Sequence, residues 1–252
     1  MKFAAIIPAR YASTRFPAKP LAVLGGKPVI QRVCEQASKV FEQVMVATDD
    51  ERIASVVTQA GFHAEMTCKD HKSGTDRCYE AFVNSGCDAD VVVNIQGDEP
   101  FIHPSQLLCI RSLFDSPETD IATLVKPFTA GTPFERLANP NSPKVVVDDN
   151  MNALYFSRSV IPYLRGIPQE EWSSRHTFYK HIGLYAFRSQ VLKQITALDQ
   201  APLEKAESLE QLRWISAGYT IKVGTTDIET IGIDTPQDLA AAQEFLDRGG
   251  WE

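Results

Sequence analysis

Three features of the 252-residue chain predict an α/β fold built on a mostly parallel sheet. Short apolar runs suited to buried strands recur at residues 3–8, 43–48, 62–66 and 90–96. Segments of helical character lie between them, and Gly, Asp and Pro punctuate the joins. Strands alternating with helices at this spacing call for right-handed βαβ crossovers, and therefore for parallel neighbours. Such sheets do their chemistry beyond the carboxyl ends of the strands, which puts the loops after Ile7, Met66 and Ile95 on one rim.

The first strand is read from Phe3 to Pro8, followed by a loop to Gly26 and a helix with Pro28 in its first turn, running to about Val40. Residues 43–48 form the second strand, and Asp49-Asp50 stand where an N-cap belongs before a helix to Ala60, with Gly61 as the stop. A third strand, a polar loop from Cys68 to Gly74 and a helix over 75–84 precede the strongest strand, 90–96. The second half is β-rich at 121–126, 144–148, 153–157 and 182–187. Residues 208–217 read as an amphipathic helix with Leu209, Leu212, Trp214 and Ile215 toward the core. A strand follows at 219–223, and Asp234-Thr235-Pro236 opens a final helix to about Leu246. The segment 166–180 lacks periodicity and is expected to be a mobile loop near the site. One domain is expected, with residues from about 120 to 225 as a β-rich subdomain on the same core.

Composition narrows the function. At 44% hydrophobic and 23% charged residues the chain is an ordinary packed protein, and its apolar runs fall far short of a membrane span. The apolar stretch before Pro8 is too short for a secretory leader, so a cytoplasmic setting is expected. The five cysteines, Cys34, Cys68, Cys78, Cys87 and Cys109, form no CxxC pair and are expected to be mostly buried small hydrophobes. A net charge of −7 disfavours nucleic acid as a partner. Against that acidic background, residues 1–34 carry Lys2, Arg10, Arg15, Lys19, Lys27 and Arg32 and no carboxylate, which points to a local anion site.

Within that segment, residues 8–21 present Arg10, Arg15 and Lys19 on a loop stiffened by Pro8, Pro17 and Pro20. Two guanidinium forks and one ammonium suit a triphosphate, and the loop lacks the glycines of a Walker or dinucleotide-binding turn. The turn Gln96-Gly97-Asp98-Glu99-Pro100 follows the strongest strand; Gly97 permits close approach, and Asp98 is a hard oxygen donor of the kind Mg²⁺ takes with phosphate oxygens. Asp234 reads either as the N-cap of the last helix, with Gln237 completing a capping box, or as a second Mg²⁺ carboxylate. Ser73-Gly74-Thr75-Asp76-Arg77 at a helix start offers amides and hydroxyls to phosphate or base, or simply caps the helix. His71, His103, His176 and His181 have no metal-ligand spacing, and no nucleophile motif is present.

With the basic loop, QGDEP and the terminal IDTPQDL together, the chain resembles the 3-deoxy-manno-octulosonate cytidylyltransferase (CMP-KDO synthetase) family over nearly its whole length. SGTDR at 73–77, ALYFSR at 153–158, HIGLYAF at 181–187 and SLEQLR at 208–213 carry the likeness further. The resemblance implies a Rossmann-like, GT-A-like nucleotidyltransferase with a three-layer αβα sandwich, usually a homodimer, that couples 3-deoxy-D-manno-octulosonate (KDO) to CMP for lipopolysaccharide synthesis. The β-rich subdomain would then serve sugar binding and dimerisation. It implies CTP phosphate contacts by Arg10, Arg15 and Lys19, and a nucleotide pocket with Ser73, Gly74, Thr75 and Arg77. Asp98 and Asp234 would hold Mg²⁺. Gln96, Arg158, His181, Tyr185, Glu210 and Gln211 match the sugar-acid site. The family usually has Leu and Gly where this loop carries Phe16 and Ala18, and Arg where this chain carries Lys180.

The expected chemistry is direct attack of the KDO anomeric hydroxyl on the α-phosphorus, with Arg10, Lys19 and Asp98 in the catalytic roles and no covalent enzyme intermediate. Alternatives keep the chemistry with an 8-amino or nonulosonic sugar acid, or make the chain a silent nucleotide-binding module. The silent module would lack one of Lys19, Asp98 or Asp234, and all are present.

Overall fold

The computed structural model describes residues 1–12, 15–229 and 231–250. Its strands, in chain order, are β1 (Phe3–Ala9), β2 (Val23–Leu24), β3 (Lys27–Pro28), β4 (Gln43–Thr48), β5 (His63–Met66), β6 (Val91–Asn94), β7 (Ile121–Pro127), β8 (Lys144–Val147), β9 (Ala153–Ser157), β10 (Tyr179–Arg188) and β11 (Ile221–Thr225). The helices are α1 (Val29–Ala37), α2 (Glu51–Gln59), α3 (Gly74–Asn84), α4 (Pro104–Ser112), α5 (Phe134–Leu137), α6 (Trp172–Arg175), α7 (Ser189–Thr196), α8 (Pro202–Glu207), α9 (Gln211–Ser216) and α10 (Pro236–Asp247). The pairings are mostly parallel with helices flanking, the α/β class the alternation implies.

The chain divides into two compact units. The first comprises Met1–Leu108, Ala186–Thr196 and Glu229–Glu252. Its strands run in the order β5-β4-β1-β6, every pair parallel, with Ala5 opposite Val44 and Val93. Ala4 to Ile7 and Val91 to Val93 are completely buried, so β1 and β6 form the unit's core and their carboxyl ends carry the candidate loops. Full burial of a Val or Ile is worth roughly 1.5–3 kcal/mol, which holds these strand ends in register under the site. Asp50 caps α2, accepting from the Arg52 amide, and Ser73 caps α3, accepting from Asp76.

Several local readings change. β1 continues through Pro8 to Ala9, so the loop starts at Arg10. The stretch expected to be all loop contains the β2–β3 hairpin, turned by Gly25 and Gly26 with φ of 53° and 78°; two positive φ values are the signature of the tight hairpin turns that follow strand twist. Pro28 is the N-cap of α1 rather than its first residue, and the helix ends at Ala37. Ser13 and Thr14 of the basic loop lie outside the described residues. Cys34 and Cys78 are buried, whereas Cys68 is exposed and Cys87 and Cys109 are half-buried. Among the described residues no helix is long and apolar enough to cross a membrane.

The second unit comprises Cys109–Tyr185 and Ala197–Ile228. β7 pairs in parallel with β11, and β8 runs antiparallel to β9 and β10, giving the β-rich character read from the sequence. The expected helix from Ser208 begins only at Gln211, because Ser208 takes a left-handed conformation with φ 50° that ends α8. The segment expected to be a bare mobile loop is built around Trp172 and Phe178, both buried against Leu137. The Trp172 indole donates to the Ile167 carbonyl at 2.9 Å, and Ser173 donates to the Thr132 carbonyl at 2.8 Å.

Candidate active site

At the carboxyl ends of β1 and β6, the first unit holds a cavity of about 320 Å³. It is lined by Arg10, Arg15 and Lys19 from the basic loop, by His71, Lys72, Ser73, Gly74 and Arg77 around the start of α3, and by Gln96, Gly97, Asp98 and Asp234. Its floor is close-packed: a Cβ on Gly97 would stand 2.7 Å from the Pro8 carbonyl oxygen, and one on Gly74 would stand 3.2 Å from the Pro8 ring. Glycine at 97 is therefore required by the approach of one backbone to another.

Lys19 is the hub of the cavity's charge. Its ammonium donates to Asp98 at 2.5 Å and to Asp234 at 3.1 Å, while Arg15 pairs with Asp234 at 3.3 Å. Residues far apart in sequence meet because Ile233, buried with Leu24, Val29 and Phe101, donates its amide to the Asp98 carbonyl at 2.9 Å. Asp234 is not the cap of the last helix. Thr235 is the N-cap, and its box partner is Asp238, which also accepts from the Asp234 amide; the Asp234 carboxylate is thereby left to Lys19 and Arg15. A capping box pairs a cap with the residue three on, so with Thr235 as the cap the partner is Asp238 and not Gln237.

Two expected nucleotide residues are held inside the wall. Thr75 is buried in α3 and does not line the cavity. Arg77 reaches the cavity, but its guanidinium donates to Thr67 at 2.6 Å and pairs with Asp49 at 3.2 Å. Glu80, one turn on, accepts from the Cys68 amide at 2.8 Å and from the His71 ring. These contacts hold its carboxyl below the usual carboxylate range although burial opposes the shift. His71 and Lys72 were missed as lining residues. Their signal was position alone, immediately before SGTDR in the loop after the third strand.

The other sugar-site candidates lie in the second unit. His181 and Tyr185 sit on β10 with ring centroids 5.3 Å apart, and Tyr185 meets Trp214 edge-on at 5.1 Å. Burial pushes the His181 imidazole down to about 3, and burial, with Glu210 adding to it, pushes the Tyr185 phenol well above its ordinary value. Glu210 precedes α9 and lies 3.4 Å from Arg213, itself buried against Glu204 at 2.8 Å. Gln211 is buried, and its side-chain amide nitrogen has no hydrogen-bond partner among the described residues. Such a donor is costly to leave unmet, which makes it a candidate for a ligand oxygen. Arg158 spends its guanidinium on the carbonyls of Glu207, Pro140 and Ser208, at 2.6, 2.8 and 3.2 Å, so it shapes the turn before Glu210.

A family profile described as cytidylyltransferase matches residues 4–223. A 3-deoxy-manno-octulosonate cytidylyltransferase of Bacteroides thetaiotaomicron is 66% identical over 246 residues, 98% of each chain. That of Porphyromonas gingivalis is 56% identical, again over 98% of each chain. The chain belongs to the 3-deoxy-manno-octulosonate cytidylyltransferase family. A solved structure of CMP:2-keto-3-deoxy-manno-octonic acid synthetase complexed with CTP superposes with a TM-score of 0.90 at 40% identity, covering 99% of this chain and 100% of that one. A 4-diphosphocytidyl-2C-methyl-D-erythritol synthase from Anaerococcus prevotii, at 14% identity and a TM-score of 0.62, shares the fold.

In this cytidylyltransferase the three positions that depart from the pattern the resemblance implies are all described. Ala18 adopts the left-handed angle that glycine favours, with φ 59° and ψ 19°, immediately before Lys19. Phe16 packs against the cluster of Leu24, Val29, Phe101, Ile233 and Ala242, an apolar seat that a leucine would also fill. Lys180 lies on β10 opposite Lys144 of β8.

Proposed function

We propose that this enzyme transfers the cytidylyl group of CTP to KDO, giving CMP-KDO and pyrophosphate for lipopolysaccharide synthesis. The observation that carries the proposal is the Lys19 ammonium held between Asp98 and Asp234 in a cavity otherwise rich in cations. The CTP named in the 40%-identical structure supports the nucleotide, and the relatives' names support the sugar.

In this reading the anomeric hydroxyl oxygen of KDO forms a bond to the α-phosphorus as the bond to the β-phosphate oxygen breaks. Pyrophosphate leaves with that electron pair, and the hydroxyl proton passes to solvent. Lys19 stabilises charge on the α-phosphate, and Arg10 and Arg15 take the departing phosphates, so positioning and charge neutralisation do most of the catalytic work. The amide end of α3 and the Ser73 hydroxyl offer further donors to the nucleotide.

Mg²⁺ belongs to the same proposal. Two carboxylates from distant segments converge on one cation, the hard oxygen set that Mg²⁺ shares with phosphate oxygens. Among the described residues no cluster of three ligating side chains exists, so Asp98 and Asp234 would hold the ion together with substrate. When bound, Mg²⁺ would polarise the phosphate and acidify the attacking hydroxyl. Homodimer formation and a cytoplasmic setting are proposed with it, on the family likeness.

The test is pyrophosphate release with KDO, CTP and Mg²⁺, each omitted in turn, with ATP, GTP and UTP as controls. Release that needs all three supports the proposal. Release with 8-amino-KDO or a nonulosonic acid but not with KDO would replace the acceptor, and none with any of them would overturn the reading.

A further inference from the structure

The basic loop is closed on itself at one point and braced at another. The Tyr11 carbonyl accepts from the Ala18 amide at 3.0 Å, joining the residue after Arg10 to the residue before Lys19. The ring of Tyr11 lies under the guanidinium of Arg52, whose central carbon stands 3.4 Å from the ring centroid. Arg52 belongs to the first turn of α2, and its guanidinium is fixed by Asp50, which accepts from its Nε at 2.9 Å and from its Nη2 at 2.7 Å. Asp50 also accepts from the Arg52 amide at 3.0 Å as it caps the helix, so the plate is anchored to a regular element.

We propose that Arg52 is a positioning residue for the triphosphate loop, acting through the ring of Tyr11. One face of its guanidinium carries the ring and one edge carries Asp50, so its charge is already matched and its planar shape is what the loop uses. Removing the plate frees Tyr11, and with it the carbonyl that sets the spacing between Arg10 and Lys19. The inference rests on the proposed binding of CTP by that loop. Neither residue lines the cavity, so any effect on the nucleotide reaches it through the placement of Arg10 and Lys19.

The experiment measures CTP binding by calorimetry and steady-state kinetics on the full chain, for wild type, Arg52→Ala, Arg52→Lys, Tyr11→Phe, Tyr11→Ala and the Arg52→Ala/Tyr11→Ala double variant. Arg52→Ala and Tyr11→Ala are each expected to raise Kd and KM for CTP about three- to tenfold, with the KM for KDO within about twofold and the melting temperature unchanged. The double variant should be no worse than either alone, and Tyr11→Phe should match wild type. Arg52→Lys should fall between, since an ammonium keeps the charge and loses the plate. Unchanged CTP affinity in Arg52→Ala, additive effects in the double variant, or full rescue by Lys would overturn the inference. Failure of the wild-type protein to bind CTP would instead remove the nucleotide reading, and this inference with it.

Discussion

The Lys19 ammonium lies 2.5 Å from an Asp98 carboxylate oxygen, 79 positions away, with 13% of the lysine side chain exposed. The proposed phosphate cation and the proposed metal ligand are thus partners of each other. On the proposed mechanism they would exchange these partners, Lys19 for the α-phosphate and Asp98 for Mg²⁺. Replacing Asp98 with Asn removes the ligand charge and should lower kcat by roughly a hundredfold or more. The fold should persist, since the side chain is not part of the core; a melting temperature within a few degrees of wild type, measured beside kcat, separates the two effects. Wild-type turnover would remove Asp98 from the site.

Ala18 stands in a conformation that costs an alanine about 1–2 kcal/mol. Ala18→Gly should relieve that cost, less the extra chain entropy of glycine, for a net gain of ~0.5–1 kcal/mol in denaturant unfolding. A loss of stability would show that the loop does not hold that angle in solution.

Gly97→Ala should act in the opposite sense. Its Cβ would meet the Pro8 carbonyl oxygen at 2.7 Å, and neither backbone can give without moving the turn that carries Gln96 and Asp98. A fall in kcat/KM for CTP of at least about tenfold is expected, with a loss of ~1–3 kcal/mol from overpacking. Unaltered kinetics would mean that the turn is free to shift.

How legible all this was depends on range. The basic loop and QGDEP were visible because a run of cations without carboxylates and a turn after a strong strand are local patterns. The meeting of Lys19, Asp98 and Asp234 was implied by the family resemblance and by no local pattern, because it depends on the Ile233 amide meeting the Asp98 carbonyl across the fold. The β2–β3 hairpin was missed although Gly25-Gly26 is a turn signal, since its strands are two residues each and have no periodicity to read. At the last helix the carboxylate drew the cap assignment, and only geometry shows that Thr235 takes it. Arg158 was legible as a family residue, but its three carbonyl contacts were not.

Burial of His181 makes a pH prediction. The folded protein holds its imidazole neutral down to about 3, whereas the unfolded chain protonates it near 6.5. Between those values the unfolded state binds more protons, so stability rises with pH and falls on acidification, by up to ~1.4 kcal/mol per unit from this group. Chemical unfolding at several pH values across that window should show a shallower acid slope for His181→Gln than for wild type. Equal slopes would place the histidine in contact with water.

A crystal structure with CTP and Mn²⁺ would test the proposed exchange of partners at Lys19, because anomalous scattering locates the metal independently of the side chains. Mn²⁺ is expected on Asp98 and Asp234, with the Lys19 ammonium moved onto the α-phosphate. Lys19 still paired with Asp98, with the metal or the triphosphate bound elsewhere, would contradict it.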